Sequence, residues 1–74
     1  MRTTLQQARK EAGKTQKEIA TAIGISVHMY RQIENGKRIG NVRIWDALET
    51  FFNIPQRQLR EQKQQQPQPY SQAS

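Results

Sequence analysis

Along residues 1–61 the apolar positions recur at helical spacing, no stretch alternates as a half-buried strand does, and no internal repeat is present. A first helix is predicted as far as Ala12, capped by Thr3 or Thr4, with Gln6 or Gln7 closing a capping box. Gly13 follows its last turn, where a left-handed C-cap is expected. The clearest local signal is Thr15-Gln16-Lys17-Glu18, a Thr and a Glu three residues apart that can each satisfy a backbone N–H at a helix start. Ile19, Ala20 and Ile23 then form one apolar face, and Gly24 stops this second helix. Ser26 is a good N-cap for a third helix, in which Tyr30 and Ile33 continue an inward face with Met29 at its margin. Asn35-Gly36 ends it, and a basic loop Lys37-Arg38-Ile39-Gly40 follows. A fourth helix is predicted from Asn41 to Phe52, with Ile44, Trp45, Leu48, Phe51 and Phe52 as its stripe and Asn53 as its end. Pro55 suits the first turn of a short fifth helix, which Leu59 would anchor.

The second and third helices carry a more demanding pattern than an ordinary hairpin. Two short helices joined by one Gly-centred turn cross steeply, so the residue at their contact must be small, as Ala20 is. The turn needs a residue that tolerates positive φ, which Gly24 does, and an apolar plug for the corner, which Ile25 supplies. With Ser26, Tyr30 and Ile33 facing inward, Val27, His28, Arg31 and Gln32 face outward. That face offers hydrogen-bonding groups and one methyl-rich group, the chemistry needed to read base edges in a major groove. An ordinary solvated face would more often be a row of Lys and Glu.

Charge strengthens the same reading. Twelve Lys and Arg against six Asp and Glu give a net charge of +6, which favours a polyanionic partner, nucleic acid or an acidic membrane surface. No apolar run is long enough to span a membrane and the N-terminus has no apolar signal core, so a cytoplasmic protein without a membrane partner is expected. Cysteine is absent and His28 is the only histidine, which argues against disulfides and a zinc site; no metal or cofactor is expected. Acidic residues are scattered, with no carboxylate pair beside a nucleophile, so no enzyme activity is expected. Residues 62–74 hold six Gln and two Pro, with Tyr70 as the one large apolar group, too little to offset the entropy of ordering. The expected organisation is therefore a domain over 1–61 and a disordered Gln/Pro-rich tail over 62–74.

Residues 5–59 resemble the phage repressor/Cro helix-turn-helix family, also called the xenobiotic-response-element type. The resemblance rests on Arg9, Gly13, Thr15-Gln16, Glu18-Ile19-Ala20, Gly24-Ile25-Ser26, Ile33-Glu34-Asn35-Gly36-Lys37, Leu48 and Phe52-Asn53-Ile54. It implies an all-α, compact five-helix bundle like that of the lambda repressor, with the third helix lying in the major groove of an operator. Val27, His28, Arg31 and Gln32 then stand at or beside the positions of base contacts. Gln16, Lys17, Ser26, Asn35, Lys37 and Arg38 stand where phosphates are held, and Arg9 and Glu34 resemble an ion pair linking the first helix to the end of the third. The resemblance further implies a transcriptional regulator, a small Cro-like repressor in a bacterial or phage-infected cell, binding double-stranded DNA as a homodimer.

One such unit contacts about half a turn of DNA, so two half-sites are expected. The shortness of the chain points away from a small-molecule effector. Helix-four aromatics with Phe51, Ile54, Arg57 and Leu59 are the expected dimer surface, although aromatics at helical spacing more often belong to a core. A second reading is a protein-interaction module on the same fold, such as an antitoxin or antirepressor. Four residues depart from the family pattern: Lys14 replaces a Leu, Tyr30 a smaller branched residue, Glu49 an Ala, and Pro55 the Ser that caps the fifth helix. Glu49 is expected to mark a partner surface or a helix-four salt bridge, and the Tyr30 hydroxyl needs water or a partner.

Overall fold

Each helix start and stop follows from a group that replaces the backbone hydrogen bonds a helix end lacks. Helix α2 (Gln16–Ile23) opens on the full capping box: Thr15 Oγ1 accepts from the Glu18 N–H at 3.1 Å, and Glu18 Oε1 accepts from the Thr15 N–H at 2.8 Å. It ends at Gly24, whose φ of 80° is the left-handed value the corner demands. Ser26 Oγ caps α3 (Val27–Glu34) by accepting from the Met29 N–H, and Asn41 Oδ1 caps α4 (Val42–Phe52) by accepting from the Ile44 N–H. Asn53, at φ 58°, closes α4 in the left-handed region that Asn tolerates better than most residues.

The first and last helices depart from expectation. Neither Thr3 nor Thr4 caps α1 (Thr3–Glu11): Thr3 is already helical, Arg2 holds the N-cap position, and no side chain caps that end. At the other end, Pro55 is the N-cap of α5 (Gln56–Arg60) rather than part of its first turn. Proline has no side-chain acceptor, and Glu49 supplies one from α4. Its Oε2 accepts from the Gln56 backbone N–H at 3.2 Å and its Oε1 from the Gln56 side-chain amide at 3.2 Å, while Asp46 Oδ1 accepts from the same amide at 2.7 Å. Two departures from the family pattern thus answer one another: Glu49 caps the helix that Pro55 cannot cap. Glu49→Ala is expected to lower stability by about 1 kcal/mol, the usual worth of an N-cap, and Glu49→Gln to keep part of it. Urea unfolding checks this, and an unchanged midpoint for the Ala variant would count against the cap.

The computed structural model describes residues 1–62; among them there are five helices and no strand. The tail expected over 62–74 falls, apart from Gln62, outside the described residues. Every helix sends side chains to one core: Leu5 and Ala8 from α1, Ile19 and Ala20 from α2, Tyr30 and Ile33 from α3, Ile44, Trp45 and Leu48 from α4, and Leu59 from α5. Ile23, Ile25, Met29, Phe52 and Ile54 seal its edge. Leu59, expected at a dimer surface, has 0% exposure and belongs to this core. A five-residue helix has no stability of its own, so α5 needs that burial to exist, and the side chain is not free to meet a partner.

One buried residue had no counterpart in the expected core. Arg2 is 4% exposed, and among the described residues no carboxylate lies within ion-pair distance of it. Its backbone N–H donates to the Glu34 carbonyl at 2.9 Å, Nη1 donates to the carbonyls of Ile33 and Arg38, and Nε donates to the Arg60 carbonyl at 3.1 Å. Its guanidinium carbon sits 5.2 Å from the Trp45 ring centroid, and the Trp45 indole N–H donates to the Ile39 carbonyl at 2.7 Å. Residue 2 thereby ties together the ends of α3 and α5 and the loop between α3 and α4. Gly40 completes this corner: its φ is 80°, and a Cβ there would lie 3.1 Å from the indole nitrogen.

Candidate nucleic-acid interface

Helices α2 and α3 pack against each other across the Gly24 corner. Ala20 is buried at their contact, the Ile25 N–H donates back to the Ala20 carbonyl at 2.9 Å, and the Ile25 side chain packs against the core edge. With Tyr30 and Ile33 fully buried, α3 cannot rotate about its axis, so its outer face is fixed. His28 and Arg31 are exposed on that face. Val27 and Gln32 are half-buried, and Val27 leans on the core edge, so less of it faces outward than expected.

Behind the face lies a buried carboxylate that gathers four donors. Glu34 is 1% exposed. Arg9 donates from Nε to Oε2 at 2.8 Å and from Nη2 to Oε1 at 3.3 Å, the two-pronged geometry that suits a guanidinium to a carboxylate. The Tyr30 hydroxyl donates to Oε2 at 2.9 Å and the Gln16 amide to Oε1 at 2.8 Å. The Tyr30 hydroxyl therefore has its partner inside the protein. Burial alone pushes the Glu34 carboxyl up, but the bonds from Arg9, Gln16 and Tyr30 outweigh it and hold it below its ordinary value. The bond to Glu34 raises Arg9 in turn, while burial and the neighbouring Glu34 charge raise Tyr30. The pair is thus fully charged at neutral pH, and the hydroxyl stays protonated.

This cluster reaches the outer face through Gln16. Its amide nitrogen gives to Glu34, and its Oε1 accepts from Arg31 Nε at 3.2 Å. On the other flank of α3, Arg38 Nε donates to Gln32 Oε1. Neither bond was visible in the pattern of residue types. Of the residues expected at phosphates, Ser26, Asn35, Lys37 and Arg38 are exposed around the two ends of α3 and Lys17 is exposed in the first turn of α2, while Gln16 is half-buried with its amide engaged on both sides. Glu34 is the only carboxylate in α3, and none occurs between Asn35 and Trp45, where Lys37, Arg38 and Arg43 stand. A polyanion approaching the outer face of α3 and its following loop meets cations and neutral donors there.

The expected dimer surface is thinner than the pattern suggested. Phe51 is 41% exposed and lines a shallow groove with Ala22, Ile23 and Ala47 between α2 and α4. Ile54 is half-buried and lines a separate groove against α1, Arg57 is exposed, and Leu59 is in the core. Among the described residues no helix is long and apolar enough to cross a membrane, and no group of three His, Cys, Asp or Glu could hold a metal ion.

Residues 5–55, more than half the chain, match a protein-family model described as Helix-turn-helix. Neither the comparison with curated proteins nor that with solved structures gives a match. The matched span holds the α2–α3 corner, the Arg9–Glu34 pair with its buried carboxylate, and the exposed face of α3. The chain belongs to the Cro/C1-type helix-turn-helix family of DNA-binding transcription regulators.

Proposed function

We propose that this protein is a small repressor that binds a pseudopalindromic operator as a homodimer, with α3 in the major groove of each half-site. The observation that carries the reading is the surface of cations and hydrogen-bond donors, free of exposed carboxylates, that runs from the outer face of α3 into the loop that follows, on a helix locked from behind by Tyr30, Ile33 and Glu34. His28, Arg31 and Gln32, with Val27 at their edge, are the base readers. Gln16, Lys17, Ser26, Asn35, Lys37 and Arg38 hold phosphates, which sets register without reading sequence. A single unit covers too little DNA for high specificity, so two are needed. Phe51, Ile54 and Arg57 are the residues left at the expected partner surface.

Selection of bound duplexes from random DNA tests the reading as a whole. It should return two inverted half-sites separated by about one helical turn or a multiple of it. Lys37→Ala should weaken binding to every duplex alike and flatten the dependence of log affinity on log salt by about 0.9, the share of one phosphate. Binding that ignores salt, or a single asymmetric site on a strict monomer, would overturn the repressor-dimer reading.

A further inference from the structure

On the outer face of α3 two side chains, Arg31 and Gln32, are oriented before any DNA arrives so that they offer donors. Three observations point the same way. Arg31 is exposed but anchored, since its Nε is given to Gln16 Oε1 at 3.2 Å. The orientation of the Gln16 amide leaves no freedom, because its nitrogen end faces the acceptor-only Glu34 carboxylate and its oxygen end faces the donor-only Arg31. With Nε engaged, the end of the guanidinium keeps Nη1 and Nη2 for a partner, a parallel pair of donors. Gln32 is the second case: Arg38 Nε takes one lone pair of its Oε1, which fixes the amide's orientation and leaves its NH2 group free to donate. Third, the only carboxylate of α3, the group able to accept from cytosine N4 or adenine N6, is Glu34, and it is buried under Arg9.

We infer that Arg31 reads a guanine in each operator half-site, its Nη pair donating to O6 and N7, and that Gln16 is the positioning residue that aims it. The inference rests on the reading of α3 as the base-reading helix. Guanine is the base whose major-groove edge offers two adjacent acceptors and no donor on the purine itself, which matches a paired donor. Glu34 thus has a second consequence beyond stability: through Gln16 it orients a side chain on the DNA-facing surface. A phosphate would also accept from such a donor pair, but it would bring no base preference.

The test uses the full chain and the duplex obtained by selection. Wild type should require guanine at one position per half-site. Arg31→Ala should lose that requirement and leave preferences at the other positions in place, with an affinity loss of about 5- to 150-fold on the selected duplex, the range for one bidentate base contact. Replacing that guanine by 7-deazaguanine, which lacks the N7 acceptor, should weaken wild type and leave Arg31→Ala unaffected. Gln16→Ala should blur the same position while thermal unfolding and circular dichroism show the domain still folded at the assay temperature. Preservation of guanine preference in both variants, or indifference of wild type to 7-deazaguanine, overturns the inference. Equal weakening of all duplexes by Arg31→Ala, with a flatter salt dependence, would make Arg31 a phosphate contact and overturn it as well. Failure of wild type to select any duplex would instead overturn the function on which it rests.

Discussion

Glu34→Ala is expected to cost about 3–5 kcal/mol, because breaking a buried ion pair from one side strands the other charge. The Arg9 guanidinium would lose two bonds, and the Tyr30 hydroxyl and Gln16 amide would lose their acceptor. A domain of this size holds on the order of 3–9 kcal/mol in all, so the variant should be largely unfolded at 37 °C. Circular dichroism and urea titration measure this directly. Replacing both partners by apolar residues, Arg9→Met with Glu34→Leu, should lose less than the two single changes added together, since no orphan charge remains. A stable Glu34→Ala variant, or a double variant as damaged as the sum, would show that the cluster contributes little.

The acid limb of stability carries the same signature. The folded carboxyl of Glu34 sits below its ordinary value of 4.5. A group depressed on folding contributes stability that is complete above its unfolded value and is lost as pH falls through the folded one. The parent should therefore weaken below about pH 4.5 by more than Glu34→Gln does, because an uncharged amide has no such proton to take up. A Glu34→Gln variant with an equally steep acid limb would place the acid sensitivity elsewhere.

The parts of this fold that were legible in the residues are those whose causes lie within three or four positions. The Thr15 capping box, the caps of Ser26 and Asn41 and the left-handed Gly24 each depend on a bond or a φ value that neighbouring residues determine. The core face of α3 was legible for the same reason, through helical spacing. The pairing of Arg9 with Glu34 spans 25 positions and was expected only through the family resemblance. What stayed hidden was tertiary and polar. Glu49 reaches across the α4–α5 turn to cap Gln56, and no local rule assigns a mid-helix Glu to a cap on the next helix. Leu59 reads from the sequence as part of a partner surface with Phe51 and Ile54, yet it is fully buried while Phe51 keeps 41% of its surface exposed, a division that depends on how α4 and α5 pack rather than on local spacing. At the interface the residue types were legible but their orientation was not: that Gln32 Oε1 accepts from Arg38, and that Arg31 Nε donates to Gln16, depends on side chains meeting across separate segments.

Arg2 is the furthest from sequence logic, and its replacement should be among the most damaging changes. Burying a guanidinium without a counter-charge costs several kcal/mol in desolvation. Burial first, and then the nearby Arg60 charge, lowers its proton affinity, but from so high a starting value that it stays charged. The cost is offset by where its donors point. The Ile33 and Arg60 carbonyls lie at the C-terminal ends of α3 and α5, which carry the negative end of each helix dipole, and the Arg38 carbonyl lies in the loop beside them. The Trp45 ring adds a face for the cation. Arg2→Met keeps much of the side-chain volume and the backbone bond to Glu34 but withdraws every side-chain donor. It should lose about 3 kcal/mol, given roughly 1.5–3 kcal/mol for each charged hydrogen bond and the partial refund of the desolvation cost. Arg2→Lys should recover little, because one ammonium on a flexible stem cannot match three carbonyls spread around a planar fork. The damage should be local as well as global: amides of the 35–40 loop should exchange faster than those of α2 in native-state hydrogen exchange of either variant. If Arg2→Met unfolds at the same urea concentration as the parent, the guanidinium merely fills space, and the three carbonyls are as well served by water.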